Sequence, residues 1–171
     1  MKILTLDPGG TTGWALFEVD TKSLRSSELD TFLRDHIQQG QIGDNSEHHR
    51  LLWSLLHRVA PDIVVCERAD NRGNEFFKFM AVEYIGIVKL YVKLNPSCIL
   101  VLLGADQAKG WVTNDKLLRL LILCVPATKW RHANDALRHL VYYLVFKTGK
   151  ALQPVRDNIL GTLKEMSHAG S

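Results

Sequence analysis

Cysteine is scarce in this chain and poorly placed for chemistry: Cys66, Cys98 and Cys124 lie in three separate segments. An odd count in separate apolar runs gives neither a disulfide framework nor the close Cys/His spacing of a zinc site, so all three read as buried, reduced thiols. Long unbroken apolar runs are missing as well, because Lys89, Lys93 or Arg119 interrupts the longest of them. The N-terminus enters a strand at once, with no signal-peptide core, and the expected location is the cytoplasm. Charge of one sign is in short supply: 21 Lys and Arg against 18 Asp and Glu leave a net charge of +3. So mild a balance excludes a histone-like polycation, and any grip on nucleic acid must come from where the cations lie. Repeats and low-complexity linkers are absent too. The 171 residues, 46% hydrophobic and 23% charged, suit one soluble globular domain with a full core.

What is present begins at residue 3. Ile3-Leu4-Thr5-Leu6 is an apolar strand that ends in Asp7 and turns at once on Pro8, Gly9, Gly10 and Gly13 before Trp14, Ala15 and Phe17 resume an extended strand. A carboxylate at the end of a buried strand costs several kcal/mol unless a cation or hydrogen-bond donor compensates, so a positive partner is expected on Asp7. Ile63-Val64-Val65-Cys66 is a second short apolar run, the pattern of a strand covered on both faces, and it ends in Glu67. Far downstream, His132 and Asp135 share a helix face by their i, i+3 spacing. Oxygen ligands with one nitrogen suit Mg²⁺ or Mn²⁺. A pair of such ions about 3.5–4 Å apart is a standard device for cutting phosphodiesters.

The remaining pattern fills in an α/β domain. A third strand is expected near Gly40-Gln41-Ile42, then a helix capped by Asp44 or Ser46 in which Leu51, Leu52, Leu55, Leu56 and Val59 recur at helical spacing. A long helix spans about Asn74 to Leu94 with Lys78, Lys89 and Lys93 in one stripe. It is apolar over most of its circumference, as a helix packed on two sides would be, and it is the expected face for a second subunit. A fifth strand runs from Ser97 to Gly104, a short helix capped by Asn114 from Asp115 to about Cys124, and a last core helix from His132 to Phe146 before Gly149. The sum is a three-layer domain with a central mixed five-stranded sheet flanked by helices. Residues 1–150 carry it, and residues 151–171 are expected as a helical extension of no assigned role.

Asp-Pro-Gly-x-Thr-Thr-Gly-Trp-Ala after a first strand, an apolar strand ending in Glu67, and His-x-x-Asp-Ala opening a late helix together resemble the RuvC-like Holliday junction resolvases, phage-type members most of all. The resemblance covers about residues 1–147. It implies a ribonuclease H-like fold, a metal-dependent endonuclease acting on branched DNA, four-way junctions above all, and a homodimer. Carried over by motif, Asp7 and Glu67 match the first two catalytic carboxylates and Asp135 the last. His132 stands where the family holds either Asp or His. One departure is plain: the aromatic that follows the second acid in the bacterial enzymes is missing, and none occurs after Glu67 until Phe76-Phe77.

The catalytic and metal-ligating set is therefore Asp7, Glu67, His132 and Asp135, with two Mg²⁺ (or Mn²⁺) ions per site and no organic cofactor. His132 has three roles open to it: ligand, general base or helix cap. His139, one turn beyond Asp135, reads as a hydrogen-bonding partner of a ligand. Thr11, Thr12, Arg68, Arg72, Lys78, Lys109 and Lys116 are the candidate DNA contacts, Asp70 reads as a solvated loop acid, and Trp111 and Trp130 either stack on unpaired bases or plug the core. Two rivals come from other classes. Asp-x-Gly-x-Thr also resembles the phosphate loop of actin-like and sugar-kinase ATPases, which need a second lobe and a second such hairpin. A non-catalytic binder of branched DNA would keep the fold without the chemistry. Flap, single-strand and RNA–DNA hybrid nucleases share the same chemistry.

Overall fold

The computed structural model describes residues 1–21, 32–43, 46–69 and 75–168, with side chains over 79–164 of the last stretch. Strand β1 (Lys2–Asp7) and strand β2 (Thr12–Glu18) form the expected antiparallel hairpin, with Asp7 opposite Gly13. One turn of helix, α1 (Phe32–His36), leads into β3 (Ile37–Ile42), which pairs antiparallel with β2. Helix α2 (His48–Val59) ends at Ala60, a left-handed residue just before Pro61, and β4 (Ile63–Glu67) then runs parallel to β1. Helix α3 (Glu75–Leu94) crosses to β5 (Ile99–Leu103), which is parallel to β4. The chain closes with α4 (Ala105–Trp111), α5 (Asn114–Arg119), α6 (Arg131–Phe146), a 3₁₀ turn at Lys150–Leu152 and α7 (Gln153–His168). The sheet order is β3-β2-β1-β4-β5, mixed as expected.

Period-two alternation sorts the strands between two cores. Ile3, Ala15, Phe17 and Val65 face α6 and join Leu137, Leu140, Val141 and Leu144 in one cluster. Leu4, Leu6, Leu16, Val64 and Cys66 face the other way and pack under α2 and α3, on Leu52, Leu56, Tyr84 and Val88. Helices thus cover both faces of the sheet. Among the described residues no helix is long and apolar enough to cross a membrane.

Several boundaries differ from the sequence reading for local reasons. Helix α2 starts after Glu47 rather than on a cap at Ser46, and Asp44 lies outside the described residues. Thr113, not Asn114, caps α5: its hydroxyl accepts from the Lys116 N–H at 3.3 Å. That helix stops at Arg119 rather than near Cys124, and Leu121 is left-handed at φ 57°. Helix α4 has no counterpart in the sequence reading, since seven residues are too few to show an apolar period. On α3, Tyr84 is buried against α2, so it belongs to the core and not to a second-subunit face; Phe79, Val82, Leu90 and Leu94 are the exposed apolar residues there. Phe76 and Phe77 have no described side chains.

The C-terminal helix packs into the same core as the rest of the domain, through Val155 and Ile159, preceded by buried Leu152. Ile159→Ala is therefore expected to cost about 3 kcal/mol of global stability by emptying a filled site, with a single urea transition. An unchanged midpoint, or a separate early transition for α7, would show the helix to be an appendage.

Candidate active site

Asp7 and Glu67 are brought together by backbone geometry alone. Strands β1 and β4 are parallel neighbours with Leu6 in register with Cys66, so their last residues end side by side. The alternation that turns Leu6 and Cys66 toward α2 and α3 turns Asp7 and Glu67 toward α6. Helix α6 answers with His132, Asp135 and His139 on one stripe. Thr5, two residues before Asp7 on the same face, ties strand to helix by donating its hydroxyl to the Ala136 carbonyl at 2.9 Å.

The contacts then follow. His132 Nδ1 lies 2.9 Å from Asp7 Oδ2, and His139 Nε2 lies 2.7 Å from Glu67 Oε2. Lys109 of α4 supplies the positive partner expected on Asp7, and more: its Nζ is 3.0 Å from Asp7, 2.8 Å from Glu67 and 3.3 Å from Asp135. Arg138, one turn after Asp135, pairs with it, donates Nε to the Val112 carbonyl at 3.0 Å, and bonds Asn114. Ligand atoms of the Asp7 and Glu67 carboxyl groups lie within 4.8 Å of each other. Burial raises the Asp7 carboxyl well above the usual carboxylate range, against the opposing pull of His132 and Lys109. Burial also acts to raise Glu67, but the bonds from His139 and Asp7 and the Lys109 ammonium outweigh it and bring the group down to about 2. Lys109 loses water on burial yet is held above the ordinary lysine range by Asp7, Glu67 and Asp135.

All four residues expected as ligands or catalysts converge, in a different arrangement from the one expected. Among the described residues, the set whose ligand atoms lie within 4.8 Å of one another is Asp7, Glu67 and His139. Asp135 meets that set through Lys109, and His132 meets it through Asp7. His139 is fully buried, and its Nε2 contact with Glu67 makes it at once a neighbour of that acid and a member of the possible metal-binding group.

The expected DNA contacts fare unevenly. Thr12 does not face solvent: it is fully buried and its hydroxyl lies 2.8 Å from His48 Nε2, so it cannot meet a phosphate. Lys116 folds back on Trp111, donating to its carbonyl at 2.6 Å with Nζ 3.9 Å above the ring, and Trp111 in turn packs edge-on against Phe146. Lys109 sits among the carboxylates instead of in a phosphate-facing loop. Thr11 is half-buried at the hairpin turn, and Arg68 is exposed beside Gly104. Arg72, Asp70 and the Lys78 side chain lie outside the described residues. The sequence reading missed a cleft of about 340 Å³ next to Asp135, walled by Asn114, Thr128, Arg131, Asn134 and Arg138. Arg131 is exposed there and has no ion-pair partner among the described residues.

The mixed five-stranded sheet in the order β3-β2-β1-β4-β5, flanked by helices on both faces, is the ribonuclease H-like fold also seen in solved Holliday junction resolvases. Thermus thermophilus RuvC is similar to this chain at a TM-score of 0.53 and 16% identity, covering 84% of this chain and 95% of that one. The same protein solved in complex with a Holliday junction substrate aligns at a TM-score of 0.51 and 15% identity, over 84% and 94% of the two chains. The sequence matches no family model and no curated protein, so the kinship is one of fold.

The Lys109 contacts lead to a direct expectation. Lys109→Met leaves three carboxyl groups around an apolar tip, and metal-free stability should fall by about 2 kcal/mol, a value discounted for the partial exposure of the lysine. Adding millimolar Mn²⁺ should raise the melting temperature of the variant by more than that of the unaltered protein. Equal shifts in the two proteins would mean that ammonium and ion do not share a place.

Proposed function

We propose that this chain is a divalent-metal-dependent endonuclease that cuts branched DNA, with four-way junctions as its substrate and two Mg²⁺ ions, replaceable by Mn²⁺, at each site. The observation that carries the reading is the meeting of Asp7, Glu67 and Asp135, from three distant segments, around a single ammonium group. Three carboxyl groups face two permanent cations, Lys109 and Arg138, and a donor set of oxygens with an imidazole fits a hard divalent ion. Asp7, Glu67 and Asp135 would hold the ions, with His132 as a further ligand or as the base for the attacking water. Bound there, a divalent ion supplies Lewis acidity to the phosphate and a more acidic water.

The chain's own groups do the rest. His139 and Lys109 both hold the same Glu67 oxygen, Oε2, at 2.7 and 2.8 Å. Arg138 anchors Asp135 to the carbonyl end of α4. Arg131 and Thr128 line the cleft beside the acids and take the DNA backbone. The likeness to RuvC solved with a Holliday junction supports branched DNA as the substrate class. A homodimer presenting two sites fits paired cuts in a four-way junction, and the α3 stripe of Phe79, Val82, Leu90 and Leu94, between 50% and 69% exposed, is the surface we assign to the second copy.

A panel of four-way junction, flap, fork and RNA–DNA hybrid with Mg²⁺ decides the substrate. Asp7→Asn, Glu67→Gln and Asp135→Asn should each abolish cutting while leaving junction binding intact, and near-normal turnover by any of them would remove that residue from the site. His132→Asp should outperform His132→Ala; equal rates would make His132 a cap.

Arg131→Ala should weaken junction binding and lower the slope of log affinity against log salt by about one. An unchanged slope would place the DNA elsewhere. Val82→Glu should convert a dimer into monomers by light scattering, and a wild-type protein monomeric at micromolar concentration with and without junction would overturn the paired arrangement.

A further inference from the structure

The late helix carries half of the site, so where it begins decides whether the site exists. A helix leaves its first N–H groups without intrahelical acceptors, and Trp130, the residue at the N-cap of α6, offers no side-chain acceptor. The acceptor comes from another layer of the fold. Gln41 of β3 takes the His132 N–H at 3.1 Å and the Ala133 N–H at 3.2 Å on its Oε1, and its Nε2 donates to the Lys129 carbonyl at 3.1 Å. One carboxamide thereby makes three hydrogen bonds to the segment that leads into the helix.

The strand register explains how Gln41 reaches it. Asp7, Gly13 and Gln41 form one row across β1, β2 and β3. At the centre of the row there is no side chain: a Cβ built on Gly13 would stand 1.8 Å from the His132 carbonyl oxygen and 2.1 Å from its carbon. The first turn of α6 therefore rests on bare backbone. At one end of the row Gln41 grips the His132 and Ala133 amides, and at the other end Asp7 meets the His132 ring at 2.9 Å.

We propose that Gln41 is a positioning residue of the site, which fixes the start of α6 over Gly13 and thereby sets where His132 and Asp135 stand against Asp7 and Glu67. The proposal deepens the nuclease reading and rests on it for its kinetic consequence, because a small misplacement of catalytic groups costs rate far more than it costs folding.

The test compares Gln41→Met, which keeps length and loses every polar contact, with Gln41→Glu, which keeps the two acceptor bonds and loses the donor. For Gln41→Met, kcat on junction DNA with Mg²⁺ should fall about 10- to 100-fold with junction affinity unchanged. The Ala133 amide should exchange faster with solvent, and Gln41→Glu should recover most of the rate. In a His132→Ala background Gln41→Met should add less loss than it causes in the unaltered protein, because part of its effect runs through His132 and the rest through Asp135. The proposal is overturned by a Met variant that cuts at the normal rate, by equal losses in Met and Glu variants that track melting temperature, or by losses that multiply with His132→Ala. Should the unaltered protein neither cut DNA nor bind Mn²⁺, the nuclease reading falls by itself. The exchange rates at His132 and Ala133 then decide on Gln41, and rates unchanged in the Met variant overturn it.

Discussion

Three carboxyl groups within reach of one lysine ammonium is the constraint around which this molecule is arranged. Buried acids repel one another and lose hydration, and neither cost is tolerable without compensation. The fold compensates in layers: Lys109 touches all three acids, Arg138 holds Asp135, and two histidines stand on Asp7 and Glu67. A structural network could stop at full neutrality. This one sets three carboxyl groups against two permanently charged partners, Lys109 and Arg138, and that excess of oxygen donors is what the proposed metal dependence rests on.

Mechanical support for that charge comes from the sheet. Parallel neighbours β1 and β4 deliver two acids at matching heights, which no loop could do as reproducibly. The rest is helix placement. Thr5 holds α6 from below at Ala136, while the row of Asp7, Gly13 and Gln41 receives its first turn. Packing and chemistry use the same residues here, so mutations meant to probe one will disturb the other unless polar rescue is built in.

How much of this could be read from the residues depended on range. Strands ending in Asp7 and Glu67, the late helix read as starting at His132 and the mixed sheet were legible because each rests on local pattern: apolar runs, glycine turns and helical spacing. The convergence of Asp7, Glu67, His132 and Asp135 was legible through motif order. Lys109 in the midst of the acids was not, because a lone lysine on a seven-residue helix has no periodic signature and its place is set by the chain reversal after β5. Thr12 failed for a related reason: next to a glycine turn it looks like a phosphate contact, but strand alternation turns it inward to His48. Gln41 gave no signal at all, since a glutamine on a short strand reads as a solvated residue until a helix 91 positions later is seen to begin on it. Arg138 was the recoverable miss, its pairing with Asp135 being readable from i, i+3 spacing.

The contact between Thr5 and Ala136 spans 131 positions of the chain. The partners of the acids at residues 7 and 67 arrive with α4 and α6, so during synthesis both acids leave the ribosome long before their partners do. Until then the sheet has an uncovered face and the two carboxyl groups have neither Lys109 nor the histidines of the late helix. Assembly of the acid cluster is therefore tied to the timing of translation: the chain gathers these groups only when the helix that seals its core docks, and a truncated or stalled product lacks the cluster as well as the fold.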